Sequence, residues 1–279
     1  MILFAPAKIN IGLQIIERRE DGFHNLQSIM LPVGLCDILE IRKSTHGNKN
    51  LRFDQSGIQI GSLKEKNLCV RAWELFSSEA ILPPVELHLH KQIPVGAGLG
   101  GGSSNATATL KGLNILAETP LPKEKLHEMA AQLGSDCPFF LHGEPMMMEG
   151  RGEILSPVTL HMDQLHLVLL YPGLQVSTAE AYSGIKPIQH DIHLRELIRE
   201  SMDQWRELVV NDFEHSVFDR HPELDPLKQS LYQAGALYAS LSGSGSSLYG
   251  LFQESPDLPA DLERQVIWKG SAIHPTGTI

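Results

Sequence analysis

The sequence predicts an α+β fold, because strand-like and helix-like segments occur in both halves of the 279-residue chain. The segment VELHLH at 85–90 alternates apolar and polar residues strictly, which is typical of a strand with one buried face. The segment PKEKLHEMAAQLG at 122–134 carries its apolar residues at helical spacing. The Gly-rich stretch EGRGEILSPV precedes a boundary, and we predict domains of residues 1–158 and 159–279.

The N-terminal half is predicted to start with a strand at 2–16 that is interrupted at Pro6, followed by a turn at Asp21-Gly22. The MMM run at 146–148 is expected to be a core strand. The other predicted elements of this half are strands at 37–44, 51–60 and 85–90 and helices at 68–80, 104–118 and 122–134, the last ending at Gly134 in a left-handed conformation.

The C-terminal half is predicted to contain both strands and helices. A second Gly/Ser-rich turn, SGSGSS at 242–247, separates two of its strands. The predicted strands are 165–172 and two within LYASLSGSGSSLYGLF at 237–252, and the predicted helices are 194–208 and 223–236.

Composition excludes several classes of function. A formal net charge of −10 argues against a general binder of nucleic acid or anionic membrane, since both need a basic surface. No apolar run is long enough to span a membrane, and the first residues do not resemble a signal peptide. Cys36, Cys69 and Cys137 are odd in number and include no CxxC pair, so we expect a reducing, cytoplasmic compartment.

The segment PVGAGLGGGSSNA, Pro94 to Ala106, carries the strongest functional signal in the sequence. Its glycines let backbone N–H groups approach an anion, and the helix predicted to follow adds free N–H donors and a favourable dipole. Ser103 and Ser104 lie where the N-cap of that helix is expected. Five glycines are more than a capped turn needs, so phosphate binding is favoured over that simpler interpretation.

Two other phosphate-binding patterns fit the neighbouring residues poorly. A P-loop needs a lysine just before its hydroxyl residue, and Gly102 stands at that position. Gly96, Gly98 and Gly101 formally match the GxGxxG pattern of dinucleotide-binding domains. However, the preceding strand alternates instead of being continuously apolar, and Pro94 separates it from the glycines. A Rossmann oxidoreductase is therefore the least favoured function.

The loop resembles the phosphate loop P-x-x-x-G-L-[GA]-[GS]-S-S-[AN] of the galactokinase, homoserine kinase, mevalonate kinase and phosphomevalonate kinase superfamily. In the same order, PAKINIGL at 6–13 resembles the first motif of that superfamily and LSGSGSSLYGLF at 241–252 its third. The resemblance implies a two-domain small-molecule kinase fold. Its N-terminal half would resemble domain 2 of ribosomal protein S5 and bind ATP, and its ferredoxin-like C-terminal half would bind substrate.

Within the superfamily, further segments are similar to the kinases that act on a cytidine-diphosphate-linked methylerythritol. These segments are REDGFHNLQSIM at 19–30, LGSDCPFF at 133–140, YPGLQVSTAEAY at 171–182 and NDFE at 211–214. The similarity implies ATP-dependent phosphorylation of the 2-hydroxyl of that acceptor, in the methylerythritol phosphate route to isoprenoid precursors. ATP and Mg²⁺ are the implied cofactors.

The resemblance assigns catalytic roles to Lys8 and Asp136. By its surroundings alone, Asp136 would be a turn residue before Pro138, but it occupies the L-G-x-D position that carries the general base of the family. Lys8 lies in an apolar strand-like run, where an unpaired lysine is rare, and we expect it to pair with Asp136 beside the acceptor hydroxyl. The alternative for Lys8 is an edge lysine that reaches solvent.

The remaining predicted contacts divide between the nucleotide and the acceptor. Ser103 is expected to help hold Mg²⁺, whereas His88 and His90 lack a third ligand and are expected on an exposed strand face rather than at a metal. The predicted nucleotide-binding residues are Asn67, Lys91, Pro94, Gly96, Gly98, Leu99, Gly100, Gly101, Gly102, Ser103 and Ser104. The predicted acceptor-binding residues are Asn10, Phe23, His24, Thr178 and Tyr182, with the aromatic rings suited to a flat base.

Two alternatives from different classes remain open. The first is a sister kinase acting on homoserine or a mevalonate-type acceptor, although the pair Phe23-His24 favours an acceptor that carries a base. The second is a binding protein that keeps the fold without catalysis, which the presence of both Lys8 and Asp136 argues against. We expect a small-molecule substrate, no nucleic-acid or membrane partner, and either a monomer or a weak homodimer.

Overall fold

The computed structural model of the chain describes residues 1–44, 50–60, 67–162, 164–185, 187 and 190–273. The final positions of the predicted C-terminal domain, 274–279, lie outside the described residues. Within the described part, two sheets with helices packed against them confirm the predicted α+β class.

Six strands of the described N-terminal half form one sheet. The strands are β1 (Ile2–Arg18), β2 (His24–Lys43), β3 (Leu51–Gly57), β4 (Val85–Lys91), β5 (Met146–Glu149) and β6 (Ile154–Pro157). The order is β3-β4-β2-β5-β6, and β1 pairs antiparallel with β2. The side chains of the MMM run are buried, as predicted for a core strand.

Strand β1 runs without interruption through Pro6, which the sequence had predicted to break it. A register shift between Pro6 and Ala7 accommodates the proline, because a bulge leaves a position at which no ladder hydrogen bond is needed. The strand therefore carries Lys8 and Asn10 as part of the sheet, where Lys8 lies opposite Pro32 of β2. The predicted turn after β1 is confirmed, with Gly22 at φ +85°.

Helices of the N-terminal half pack on one another and against the sheet. They are α1 (Leu68–Ser77), α2 (Gly101–Leu116), α3 (Lys123–Leu133) and α4 (Phe139–His142). Ala72, Phe76, Leu110, Leu113 and Met129 are fully buried in a core cluster that α1, α2 and α3 share. The three longer helices confirm the helical periods seen at 68–80, 104–118 and 122–134.

Two predicted helix ends are wrong. Helix α2 begins at Gly101 after an N-cap at Gly100, whose φ of +66° turns the chain into the helix before the serines are reached. Ser103 and Ser104 are therefore inside the first turn and do not cap it. Gly134 ends α3 with a φ of 171°, which is extended rather than left-handed, because its carbonyl accepts from Cys137 in a tight turn that follows at once.

The C-terminal half forms the second sheet. Its strands are β7 (His166–Leu170), β8 (Tyr238–Leu241), β9 (Leu248–Phe252) and β10 (Val266–Ser271). Their order is β10-β7-β9-β8 with every neighbour antiparallel. One group of helices follows β7 and a short helix follows β9, so the half has the β-α-β-β-α-β order of a ferredoxin-like fold, as predicted.

The helices of this half are short, and one helix that the sequence predicts is two helices in the structure. They are α5 (Thr178–Tyr182), α6 (Leu194–Leu197), α7 (Met202–Leu208), α8 (Phe213–Arg220), α9 (Leu224–Gln233) and α10 (Ala260–Glu263). The single helix predicted at 194–208 is two helices, α6 and α7. The indole Nε1 of Trp205 donates to the carbonyl of Glu200 at 3.1 Å, which holds the turn between them.

The core of the molecule is continuous between the two halves. One buried cluster joins Ile9 and Ile11 of β1 to Leu167 and Leu169 of β7 and to Tyr249 of β9. The NDFE segment adds hydrogen bonds to the same strand, since the Leu13 N–H donates to Val210 and the Asp212 N–H donates to Leu13. Strand β1 thus contributes to both halves.

The sequence also led to expectations about membrane-spanning segments and about the cysteines. No helix among the described residues combines the length and apolar character that crossing a bilayer requires. Cys36, Cys69 and Cys137 are free thiols.

Candidate active site

The Gly-rich loop between β4 and α2 forms the wall of a cavity of about 350 Å³. Gly96, Gly98 and Gly100 have φ values of +69°, +77° and +66°, a conformation that other residues adopt only under strain. The loop ends at the first turn of α2, whose backbone N–H groups have no partner within the helix. The loop and the helix start together make an anion-binding cradle.

Close packing explains why glycine is needed at two positions of the cradle. A β-carbon on Gly98 would lie 2.0 Å from the carbonyl oxygen of Ser242, and one on Gly101 would lie 2.8 Å from the Lys91 ammonium. Neither position has room for a side chain. The glycines therefore serve two purposes, since they allow left-handed backbone and let neighbouring groups approach the cradle.

The second Gly/Ser turn of the sequence, between β8 and β9, packs directly on this cradle. The Ser242 hydroxyl donates to the Gly98 carbonyl at 3.0 Å, and the Ser247 N–H donates to the Ala97 carbonyl at 3.1 Å. The side-chain amide of Asn211 donates to the carbonyls of Leu241 and Gly243, both at 2.9 Å. The C-terminal half thereby fixes the backbone of a loop that belongs to the N-terminal half.

Lys8 lies at the edge of the cradle with a buried ammonium group. Its Nζ donates to Asn10 Oδ1 at 2.5 Å and to the Gly98 carbonyl at 3.0 Å, and it lies 3.7 Å from Asp136 Oδ2. Burial lowers the pKa of Lys8 below its ordinary value, and the nearby Asp136 carboxylate opposes that shift. The structure thus brings together the two residues for which catalytic roles are predicted.

Asp136 occupies the turn between α3 and α4. The Thr107 hydroxyl of α2 donates to the carbonyl of the next residue, Cys137, at 2.8 Å, which ties this turn to the helix that begins at the cradle. The Asp136 side chain is 28% exposed, whereas that of Lys8 is 6% exposed. A small molecule can therefore reach the carboxylate from solvent while the lysine supports it from behind.

Asn10 is held by hydrogen bonds at several atoms. Its Oδ1 accepts from Lys8, and its Nδ2 donates to the Ser28 hydroxyl at 2.8 Å. The Ser28 hydroxyl in turn donates to the Gly12 carbonyl at 2.6 Å, and the Tyr249 hydroxyl donates to the Asn10 carbonyl at 2.8 Å. Asn10 therefore orients the Lys8 ammonium, and its predicted contact with the acceptor stays a prediction.

Asn67 and Lys91 both line the cavity. Asn67 is the N-cap of α1, and its Oδ1 accepts from the Cys69 N–H at 2.9 Å. The Lys91 ammonium forms a buried ion pair with Asp37 of β2. Burial lowers the pKa of Lys91, and the charge of Asp37 opposes that shift.

The sequence prediction missed Asp37 and Asn105. Asn105 lines the cavity and its side chain donates to Asp37 Oδ2 at 2.8 Å. A carboxylate inside the apolar strand run GLCDILEI was the signal, because an aspartate is rarely buried unless it is paired. Its partners could not be inferred, since they come from β4 and α2.

The predicted acceptor-binding aromatics lie on and beside the turn after β1. The rings of His24 and Tyr182 stack with centroids 4.9 Å apart and planes 23° apart. Phe23 is separate from them: its ring is 57% exposed and lies 5.2 Å from the Arg151 guanidinium. Thr178, at the start of α5, is exposed.

The surroundings of the stacked pair shift the pKa values of both rings. Burial, with a smaller contribution from Arg18, lowers the pKa of His24, so its ring is neutral at pH 7. Burial raises the pKa of Tyr182, and the negative charge of Asp136 adds to that rise.

The two serines of the loop lie in different surroundings. Ser103 lines the cavity of about 350 Å³ together with the glycines. Ser104 is buried on another face of α2, and its hydroxyl has no hydrogen-bond partner among the described residues. It borders a separate cavity of about 40 Å³ beside Lys111 and Phe140. Ser103 is thus brought to the cradle and Ser104 is not.

The described residues contain no cluster of three His, Cys, Asp or Glu side chains that could hold a metal ion. His88 and His90 lie on the exposed face of β4, as predicted. Both rings share the hydroxyl of Ser56, at 2.8 Å and 3.0 Å. Hydrogen bonding with a serine accounts for this histidine pair.

A Gly-rich loop at a helix start, beside a buried lysine and an accessible carboxylate, is the arrangement expected of a phosphotransferase, and it lies on a two-sheet α+β fold. Two family models match the chain: "GHMP kinases N terminal domain" at residues 67–144 and "GHMP kinases C terminal" at 193–266. These ranges include both Gly-rich segments.

Individual relatives narrow the class further. The 4-diphosphocytidyl-2-C-methyl-D-erythritol kinase of Bacteroides thetaiotaomicron is 46% identical over 93% of this chain and 94% of that protein. A crystal structure of 4-(cytidine 5'-diphospho)-2C-methyl-D-erythritol kinase is 34% identical, with a TM-score of 0.78 over 90% of each chain. A crystal structure of mevalonate kinase, at 13% identity and a TM-score of 0.66 over 90% of this chain and 91% of that one, shares the fold alone.

The chain therefore belongs to the GHMP kinases, which transfer phosphate from ATP, and within them to the family of 4-diphosphocytidyl-2-C-methyl-D-erythritol kinases. It is an ATP-dependent small-molecule kinase.

Proposed function

We propose that the chain phosphorylates the 2-hydroxyl of 4-diphosphocytidyl-2-C-methyl-D-erythritol, a step in the methylerythritol phosphate route to isoprenoid precursors. The observation that carries the proposal is the Lys8–Asp136 pair at the edge of the Gly-rich cradle. The names of relatives that match along nearly the whole chain support the acceptor. The alternative of a homoserine or mevalonate-type acceptor is less favoured, because the matched mevalonate kinase shares only the fold.

The cavity and the cradle fit ATP. A volume of about 350 Å³ suits a nucleotide-sized ligand, and the glycine backbone and first turn of α2 offer N–H donors for its phosphates. ATP supplies the phosphoryl group when it is bound. Asn67, Asn105 and Lys91 would hold the nucleoside end, and Ser103 would help hold Mg²⁺, which neutralises phosphate charge.

Two residues would carry the chemistry. Asp136 would accept the proton of the acceptor hydroxyl as that hydroxyl attacks, for which an accessible carboxylate is required. Lys8 would stabilise the negative charge that develops on the transferred group, since its ammonium is fixed by Asn10 and the Gly98 carbonyl. A donor that is already fixed needs little reorganisation during the reaction. The hydrogen bonds that Lys8 donates to Asn10 and Gly98 would therefore increase its stabilisation of the transferred group.

The acceptor base would bind at the aromatic residues beside the turn after β1. The exposed ring of Phe23 offers a flat surface, and neutral His24 offers one donor and one acceptor to a base edge. Tyr182, which stacks on His24, would add a second aromatic ring to the same site. Thr178 would contact the same molecule from α5.

We further propose that the enzyme works in the cytoplasm, which three free thiols support, since disulfides form in oxidising compartments. A small-molecule acceptor is its expected partner, and it would act as a monomer or a weak homodimer.

An ADP-release assay tests the acceptor directly. The purified protein would be supplied with ATP, Mg²⁺ and either the cytidylyl acceptor, homoserine or mevalonate. We expect turnover with the cytidylyl acceptor and at least a hundredfold lower kcat/KM with the other two, because a site built for a polar base leaves its buried groups unpaired with smaller acceptors. Equal rates with all three would refute the assignment.

A further inference from the structure

Asp37 is a fully buried carboxylate for which the reaction has no direct use. It lies in β2, has no measurable exposure, and accepts hydrogen bonds at both oxygens. The two oxygens have different partners. Oδ1 accepts from the backbone N–H groups of Gln92 and Ile93, at 2.7 Å and 2.9 Å, whereas Oδ2 accepts from Lys91 Nζ and, at 2.8 Å, from Asn105 Nδ2.

These partners place Asp37 directly behind the nucleotide cavity. Lys91 and Asn105 both line that cavity, one from the end of β4 and the other from the second turn of α2. Gln92 and Ile93 connect β4 to the Gly-rich loop. One carboxylate thus joins the strand that enters the loop to the helix that leaves it.

The packing around Lys91 makes its position sensitive to Asp37. A β-carbon on Gly101 would lie 2.8 Å from the Lys91 ammonium, so the lysine lies against the first residue of α2. Among the described residues, the titratable groups that face Lys91 are Asp37 and the thiol of Cys69. Burial raises the pKa of that thiol to about 11, which keeps it neutral. Asp37 is therefore the counter-charge that keeps this buried ammonium in place.

We propose that Asp37 is a positioning residue for nucleotide binding, which acts by holding Lys91 and Asn105 in the wall of the cavity. The proposal depends on the proposed function in one respect, which is that ATP is the ligand of the cavity. It assigns the two oxygens of Asp37 separate roles. Oδ1 supports the fold of the loop entrance, and Oδ2 sets the side chains that meet the nucleotide.

This separation gives a selective variant. In Asp37→Asn, the remaining oxygen can still accept from the two backbone N–H groups, and the new amide group then faces Lys91 and Asn105 as a donor instead of an acceptor. We expect the Kd of a fluorescent ATP analogue and the KM for ATP to rise about tenfold, with kcat within about twofold of the parent, because the lost interactions concern binding rather than the reacting groups.

Glu86→Gln is the matched control. Glu86 lies on the same strand as Lys91 and pairs with Arg42 at 2.6 Å and with Ser44 at 2.9 Å, outside the cavity. The Glu86→Gln variant makes the same carboxylate-to-amide change as Asp37→Asn, in another ion pair of the same sheet. We expect it to leave nucleotide affinity unchanged. If Asp37→Asn binds the ATP analogue as tightly as Glu86→Gln does, the positioning role is refuted.

A double variant tests whether Asp37 acts through Lys91 and covers the case in which Asp37→Asn folds poorly. Asp37→Asn should weaken analogue binding less in the Lys91→Met background than in the parent, because only its contact with Asn105 is then left to lose. A loss of affinity as large in the Lys91→Met background as in the parent would overturn the mechanism. Because analogue binding needs no acceptor, failure of the parent enzyme to use the cytidylyl acceptor would refute the proposed function and leave this result standing.

Discussion

Gly98 and Ser242, which lie 144 residues apart, meet so closely that the Ser242 hydroxyl donates to the Gly98 carbonyl at 3.0 Å. The same Gly98 carbonyl accepts from the Lys8 ammonium. One carbonyl of the phosphate cradle therefore binds both the predicted catalytic lysine and the turn between β8 and β9. A change at Gly98 should affect both.

Gly98→Ala should reduce activity and stability together. Its β-carbon would overlap the Ser242 carbonyl oxygen, and the backbone there has a φ of +77°. We expect kcat/KM to fall at least a hundredfold in steady-state assays, because the cradle and Lys8 must shift. Gly235→Ala is the control, since Gly235 also has a positive φ, +95°, but nothing lies near its β-carbon position. It should lose only the strain energy, about 1 kcal/mol of unfolding free energy in urea titrations, with activity intact.

Asp136→Asn should abolish catalysis without weakening nucleotide binding. We expect kcat to fall about 10²- to 10⁴-fold, because an amide cannot accept the hydroxyl proton. The Kd of an ATP analogue, measured by fluorescence, should stay within about twofold, since Asp136 does not line the cavity. Asp219→Asn, at an exposed carboxylate 3.9 Å from His215, is the control. Near-normal turnover in Asp136→Asn would remove this residue from the mechanism.

Lys8→Met should change how stability depends on pH. The pKa of Lys8 is lower in the folded protein than the ordinary value of 10.5, so the unfolded chain binds more protons between those two pKa values. Over that window Lys8 makes the free energy of unfolding rise with pH, and below it burying the charged group carries a constant cost.

Urea titrations at a series of pH values between about 7 and 10.5 would measure this effect. The unfolding free energy of the parent minus that of Lys8→Met should increase with pH, because contributions from other groups cancel. A difference that decreases with pH would mean that the pKa of Lys8 is raised in the folded state.

Phe23→Ala should weaken acceptor binding selectively. If the base lies against this exposed ring, losing the ring should raise the KM for the cytidylyl acceptor about tenfold, since stacking on an aromatic side chain contributes about 1–3 kcal/mol per base. The KM for ATP should not change. Phe4→Ala removes the ring of a similarly exposed residue, 51% against 57%, outside the acceptor residues and should behave as the parent enzyme. Equal effects in both variants would contradict a base-binding role.

Local patterns predicted most of the longer elements of the fold, because they report which face of a segment is buried, but β6, β10, α5 and α10 were not predicted. The alternation at 85–90 and the apolar stripe at 122–134 correspond to β4 and α3. Helix ends were harder. The starting point of α2 depends on the left-handed φ of Gly100, which a sequence rich in glycine does not specify. The break between α6 and α7 depends on a hydrogen bond from Trp205, which helical periodicity cannot reveal.

Some residues of the candidate site could be predicted from the sequence and others could not, because local patterns do not report contacts between distant segments. Lys8 and Asp136 were paired through a family resemblance, and the structure brings them to 3.7 Å. Ser104 looked equivalent to Ser103, yet the helical turn places it on another face of α2, beside a separate cavity. Asp37 was missed because its partners come from three places: β4, the residues that follow β4, and α2. Only the tertiary fold brings these together.

Strand β1 has a consequence for protein engineering. It carries Lys8, and its side chains enter core clusters that include residues of both halves. Hydrogen bonds from Leu13 and Ile15 attach it to the segment around Asp212 as well. We expect that a chimera with another enzyme's C-terminal half will fold only if the first strand is exchanged together with that half. New acceptor specificities should therefore be sought by recombining a discontinuous module rather than by cutting the chain once near residue 158.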